Sequence, residues 1–242
     1  MYAQITDAAL FSSGQEPDRY EELKNNFDTI FGNRVYLGEG TSVGAVDYTT
    51  FIEKAYDIKE EIPGKYDVDV KIPLFNIESE VLEQENERIK GTYVNKLIDI
   101  VKNSERHTIY SINYVAYVNN NILSLVIKCT LKDPNNPQRI MIETINYDMD
   151  NDKILTLEEI INIKDLKKEE VQNKINSEIK TVAAQMEAIS SEEYQFYKRN
   201  PDDQMYNIEN TKEFFLGESN ILYIVYPYGN KDFTSQKDII LY

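Results

Sequence analysis

The chain has 242 residues, 41% of them hydrophobic and 28% charged, a balance that specifies a folded core and excludes a disordered tail. Forty-two acids against 26 bases give a formal net charge of −16, a field that repels phosphate backbones and excludes nucleic acid as a partner. The same field speeds encounter with a basic protein or a cation, although it serves solubility equally well.

Residues 1–63 read as an N-terminal extension set apart from the rest. Tyr20, Leu23, Phe27 and Ile30 recur at helical spacing, with Pro17 in the first turn and Gly32 past the end. "L-G-E-G-T-S-V-G-A-V" follows as a glycine-rich loop, and a second short helix is expected over Tyr48 to Ile58. "I-P-G-K" (Ile62 to Lys65) reads as a turn and a domain boundary.

Residues 64–242 carry clearer signals. "Y-D-V-D-V-K-I-P-L-F" alternates, with Tyr66, Val68, Val70 and Ile72 on one face of a half-covered strand. An amphipathic helix is expected from Ile77 to Lys102, its stripe formed by Ile77, Val81, Ile89, Tyr93, Leu97 and Val101. Gly91 within it costs about 1 kcal/mol of helix propensity, which predicts close packing at that point.

A strand from Thr108 turns through Asn119-Asn120-Asn121 into "I-L-S-L-V-I-K-C-T-L", and "R-I-M-I-E-T-I-N-Y" returns after "D-P-N-N-P". Leu166 to Ala188 is a second amphipathic helix, with Leu166, Val171, Ile175, Ile179 and Val182 along one side. "N-I-L-Y-I-V-Y-P-Y" and "D-I-I-L-Y" are the closing strands. The expected fold class is α+β: an antiparallel sheet packed with amphipathic helices, plus the partly helical extension.

"Y-D-M-D-N-D-K-I-L-T-L-E-E-I" (Tyr147 to Ile160) scans as a calcium loop. Asp148, Asp150, Asp152 and Glu159 occupy the first, third, fifth and twelfth ligand positions, and Ile154 offers the backbone carbonyl. Two departures count against a metal. Lys153 stands where the loop needs glycine, and the preceding segment alternates like a strand instead of forming the entering helix. A polar turn followed by a helix with Thr156 at its N-cap and Glu159 completing a capping box explains the same residues. The reading adopted is therefore a cap, with no metal, cofactor or catalytic residue assigned.

Other constellations carry less. The single histidine, His107, precedes a strand and is expected to be exposed; no G-x-S-x-G elbow accompanies it. One histidine and one cysteine fall short of a catalytic zinc site. Glu158 and Glu159 read as a solvated helix face before they read as a glycosidase pair. "G-E-G-T-S-V-G" (Gly38 to Gly44) lacks the lysine of a phosphate loop. Cys129 shares a strand face with Leu123, Leu125, Ile127 and Leu131, which makes it a small core residue, and as the sole cysteine it excludes an intramolecular disulfide. Tyr223, Tyr226 and Tyr228 serve as sheet packing or, alternatively, as partner contacts.

No apolar run approaches the ~20 residues that cross a bilayer, and no basic-then-apolar signal opens the sequence. The expectation is a cytosolic protein or an ectodomain whose export or anchoring segment lies outside this chain.

The order of elements from Tyr66 onward resembles the PdaC/RsiV-like domain family. The resemblance rests on Ile72-Pro73 at a strand end, Asn86 early in a helix, the three-stranded meander from Thr108 to Tyr147, "Y-D-M-D-N-D-K-I-L-T-L-E-E-I", and Tyr226-Pro227-Tyr228-Gly229. The segment after the aromatic strand, "G-N-K-D-F-T-S-Q", departs from the family pattern. The resemblance implies an extracytoplasmic domain at the cell surface of a Gram-positive bacterium. In sigma-V anti-sigma factors such a domain is a lysozyme receptor, and in peptidoglycan deacetylases it accompanies a separate catalytic domain. It therefore implies a non-catalytic sensor or binding domain whose partner is a basic protein such as lysozyme. The alternatives are a glycan-binding accessory module or surface lipoprotein directed at peptidoglycan, and a carboxylate-based hydrolase.

Overall fold

Alternation from Tyr66 to Phe75 builds a strand whose inward residues Tyr66, Val68, Val70 and Ile72 are buried, and a mixed sheet grows on both sides of it. The computed structural model describes residues 16–38, 51–189, 198–228 and 236–242. In chain order the elements are α1 (Glu16–Asn25), β1 (Val35–Leu37), β2 (Ile52–Ile62), β3 (Tyr66–Phe75), α2 (Glu80–Ile89), a π turn (Lys90–Val94) and α3 (Asn95–Asn103). There follow β4 (Thr108–Asn119), β5 (Ile122–Lys132), β6 (Arg139–Asp148), β7 (Lys153–Ile154), α4 (Leu157–Ile163) and α5 (Lys168–Ile189). The last three strands are β8 (Glu213–Leu216), β9 (Leu222–Tyr228) and β10 (Gln236–Leu241).

The larger sheet has the order β2-β3-β4-β5-β6-β7. Along this path it is antiparallel except where β3 meets β4, because the intervening helices carry the chain back to the same end. β3 leaves β4 after Val70, and β1 takes up the vacated edge in parallel, pairing Val35 to Leu37 with Ala116 to Val118. Asn33, in the left-handed region at φ 54°, begins this contact: its amide oxygen accepts the Tyr114 N–H at 3.0 Å. The meander turns at Asn120 and Asn121 with φ of 49° and 63°, values that asparagine tolerates.

Two expectations for the first 63 residues are corrected. The helix expected over Tyr48 to Ile58 is absent from its described part, since Ile52–Ile62 is a strand paired along its length with β3. Ile62 to Lys65 is the hairpin turn between them, with Gly64 at φ +78°, and it joins two strands of one sheet. Residues 39–50 of the glycine-rich loop and helix lie outside the described residues. β2 bulges between Lys54 and Tyr56, opposite Pro73, whose missing N–H interrupts the ladder.

The long helix is also more broken than its periodicity predicts. The π turn at Lys90–Val94 inserts an extra residue, so Tyr93 and Val94 both bury. The stripe runs through Leu82, Ile89, Tyr93, Leu97 and Ile100, leaving Val81 half-buried and Val101 41% exposed. Gly91 has no atom within 4 Å of where a Cβ would sit, so close packing is not its reason for being glycine.

Four layers result. α2 and α3 cover one face of the larger sheet around Val68, Ile72, Leu125, Ile127 and Cys129, where burial pushes the thiol pKa up to about 12. The opposite face carries the small antiparallel sheet β10-β9-β8, which meets it through Val115, Tyr117, Val126 and Ile142 against Phe215, Tyr223 and Val225. Phe27, just after α1, inserts here against Phe31, Phe215 and Tyr223. The far face of the small sheet receives α4 and α5 through Ile160, Val171, Ile175 and Ile179. Burying each of these aliphatic side chains contributes about 1.5–3 kcal/mol. Tyr223 and Tyr226 are both core residues, whereas the Tyr228 side chain lies outside the described residues.

β8 crosses the face of the larger sheet, so side chains must satisfy its outer edge. Asn146 Nδ2 donates to the Phe214 carbonyl at 2.7 Å, and the Phe214 N–H donates to Thr144 Oγ1 at 3.0 Å. The Leu216 N–H donates to Ser124 Oγ at 3.1 Å, while Asn119 Nδ2 reaches the Leu216 and Gly217 carbonyls. Ser124 Oγ in turn donates to Asn146 Oδ1 at 2.7 Å. Asn146→Ala strands the Phe214 carbonyl and the Ser124 hydroxyl in a buried site. It should cost about 2–4 kcal/mol of unfolding free energy in urea titration, whereas Asn136→Ala in the exposed β5–β6 turn should cost under about 0.5 kcal/mol.

Candidate functional site

The four acids of the calcium-like turn do not share a cavity. Asp148 is buried and closes an Asx turn, its Oδ1 accepting the N–H groups of Asp150 and Asn151 at 3.0 and 3.1 Å. Asp150 accepts from Asn121 Nδ2 in the neighbouring hairpin. Asp152, at φ 48°, takes the hydroxyls of Ser79 at 2.5 Å and Tyr147 at 2.7 Å on one oxygen, and these two donors hold its pKa below the usual carboxylate value. Because Ser79 is also the N-cap of α2, this contact ties the start of that helix to the β6–β7 hairpin.

Glu159 faces the start of α4, as the capping-box reading expects: the Thr156 N–H donates to its carboxylate at 2.8 Å, and Thr156 Oγ1 accepts the Glu159 N–H. The Lys153 ammonium, 2.8 Å away, and then the Thr156 backbone lower its pKa to about 2. Among the described residues no group of three or more His, Cys, Asp or Glu side chains is placed to hold a metal ion.

The remaining candidates are dispersed. His107 is exposed, as expected. Glu158 pairs with Lys168 at 2.9 Å, so Glu158 and Glu159 serve separate partners. Asn86, prominent in the sequence pattern, is half-buried: its side-chain amide accepts the Phe75 N–H at 2.7 Å and donates to the Phe75 carbonyl at 2.9 Å. It completes the end of β3 as a neighbouring strand would.

Among the described residues, two of the concavities are open to solvent. One, of about 500 Å³, lies between the last turn of α3 and the β5–β6 turn, with Asp99, Asn103, Arg106, Asp133 and Asn135 among its lining residues. The other, of about 540 Å³, is shallow and runs along α2 over Glu80, Glu83, Gln84 and Glu87, spaced so that all four share one face. β2 lies near the far end of that helix, where Glu53 and Tyr56 act electrostatically on Lys90. Glu53, Asp57, Glu60 and Glu61 of β2 are all exposed. From residue 51 to 90 the sequence holds eleven acids and six bases, so this segment carries a disproportionate share of the charge; Glu53 and Glu60 lie on the helix side of β2, and Asp57 and Glu61 on the other.

Sequence reasoning missed the residues that join the two sheets, Asn119, Ser124, Thr144, Asn146 and Glu213. The available signal was a polar residue inside an otherwise apolar run, as in "I-L-S-L-V-I" and "E-T-I-N-Y".

No family model matches the sequence, and no curated protein matches it. Among solved structures the chain is similar to a DUF3298 family protein from Pseudomonas aeruginosa PAO1. The likeness is distant: 13% identity, a TM-score of 0.39, and coverage of 72% of this chain and 79% of that one.

The cap account of the turn has measurable consequences. Thr156→Ala should lower stability by about 1 kcal/mol, and calorimetry with calcium should show no micromolar binding. Since Glu159 has a depressed folded pKa, its contribution is present above the unfolded value near 4.5 and lost as pH falls toward 2. The stability gap between wild type and Glu159→Gln should therefore close over that range in acid titrations followed by circular dichroism.

Proposed function

We propose that this chain is a non-catalytic, extracytoplasmic binding domain that captures a basic protein on the acidic face formed by α2 and β2. Lysozyme is the leading partner, on the resemblance of the sequence to the PdaC/RsiV-like family. The observation that carries the reading is the exposed row Glu80, Glu83 and Glu87, continued on the helix side of β2 by the exposed Glu53 and Glu60. Opposed charge raises association rates and orients encounter before short-range contacts form.

A second reading has its own support. The polar groove at the end of α3 presents amide, carboxylate and guanidinium groups from Asn103, Asn135, Asp99, Asp133 and Arg106, a set suited to a hydroxyl-rich glycan. In that reading the chain is a peptidoglycan-binding accessory module.

Titration of the purified chain with lysozyme should show binding at low ionic strength that weakens about tenfold or more as salt rises from ~0.02 to ~0.3 M. The combined Glu80→Lys, Glu83→Lys and Glu87→Lys variant should weaken it by a similar factor. Absence of binding at low salt rejects the lysozyme receptor; binding of peptidoglycan fragments, lost on Arg106→Ala, selects the glycan module. Turnover of those fragments would make the chain an enzyme.

A further inference from the structure

On one side the larger sheet ends in β2, an eleven-residue strand paired along one edge with β3. Its hairpin closes at Ile62 and Tyr66, which exchange their backbone hydrogen bonds, because Pro63 has no N–H to support the alternative pattern. The register is unbroken from Ile62 back to Tyr56, so Tyr56, Ile58, Glu60 and Ile62 turn their N–H and C=O groups toward β3. Asp57, Lys59 and Glu61 turn theirs away from the sheet, and among the described residues no backbone group pairs with them. The outer edge of β8, by contrast, is met by side chains of β5 and β6. No proline interrupts Tyr56 to Ile62 and the bulge lies before it, so this stretch of edge is guarded by charge alone.

That guard discriminates between partners. Lys59 is held by Asp69 at 2.8 Å and Lys54 by Asp57 at 2.5 Å, so both bases of β2 are already matched. Glu53 and Glu61 have no ion-pair partner among the described residues, and Glu60 accepts the Tyr66 hydroxyl at 3.0 Å. With four acids against two bases, β2 repels a second copy of itself and attracts a basic chain. Ile58, on the helix side and 37% exposed, adds an apolar contact between the acids.

We propose, resting on the reading of the α2–β2 face as the capture surface, that the open edge of β2 takes up an extended, basic segment of the partner as an added antiparallel strand. Backbone hydrogen bonds to Asp57, Lys59 and Glu61 hold the segment, and alternate side chains select it. Opposite Ile58 the segment carries a β-branched residue, and opposite Asp57, Glu60 and Glu61 it carries Lys or Arg.

An end-blocked peptide, Lys-Lys-Thr-Val-Lys-Val, sets its residues in turn opposite Glu61, Glu60, Lys59, Ile58, Asp57 and Tyr56. At saturation it should slow hydrogen exchange of the Asp57, Lys59 and Glu61 amides of the purified chain about tenfold or more, read by NMR. N-methylation of its Thr and last Lys, whose N–H groups face β2, should weaken binding about tenfold or more. N-methylation of its second Lys and first Val, whose N–H groups face solvent, should change binding by less than about twofold. Lys59→Pro removes an outward donor and should weaken binding as the first methylation does; if that variant does not fold, the methylated peptides decide. No peptide binding, no protection at the three amides, or equal weakening by both methylation patterns would each overturn the proposal. A dimer in sedimentation that Lys59→Pro abolishes would overturn it in favour of a second copy. Lysozyme bound without the peptide overturns strand addition and leaves the receptor reading standing, whereas the peptide bound in this pattern without lysozyme supports strand addition and rejects lysozyme as its source.

Discussion

A strand laid across the face of a sheet has an edge that no other strand can reach, yet its backbone groups are cut off from water. β8 is such a strand. One edge pairs with β9, and the other leans on the row of side chains from β4, β5 and β6. Leaving any of its four outer N–H and C=O groups at Phe214 and Leu216 unpaired costs roughly 1–3 kcal/mol. Asn119, Ser124, Thr144 and Asn146 meet that demand with both donors and acceptors. The layered order of the molecule follows from this constraint, because the contact fixes the height and direction of the small sheet, and the small sheet then supports α4 and α5.

Local sequence rules revealed the elements whose neighbours are regular. β3 alternates because one side is core and the other half-covered, and the β4–β5 hairpin announces itself through its asparagines. β8 is four residues long and nearly all apolar, too short for a period to show. β2 was mistaken for a helix because it is an exposed edge strand whose charged positions carry no core pattern. Asn146 and Ser124 carry no signal of their burial, since alternation cannot distinguish water from a polar socket in a second sheet. The α+β class was legible; the joint that organises it was not, because it depends on pairs nearly 70 to 100 residues apart.

The turn from Tyr147 to Ile160 shows how one pattern of acids serves different chemistry. Oxygen ligands at alternate positions suit a cation only when the backbone folds them toward a common centre. Here Asp152 turns outward to Ser79 and Tyr147, Asp148 folds back on its own turn, and Glu159 caps a helix. The acids thus fasten α2, the β6–β7 hairpin and α4 together. Asn86 has the same character, a motif residue whose task is to finish a strand. The sequence features that carry the family resemblance are, at these positions, architectural.

β1 imposes an order of events on biosynthesis. Val35 to Leu37 pair with Ala116 to Val118, so the parallel partner of this strand is made about 80 residues later. At ribosomal rates of roughly 5–20 residues per second, that is a wait on the order of 4–16 s. Throughout it, Phe27 and Tyr36 have neither Tyr117 nor Phe215 to pack against. Residues 35–37 therefore wait undocked until β4 has been made, and Phe27 waits longer for Phe215.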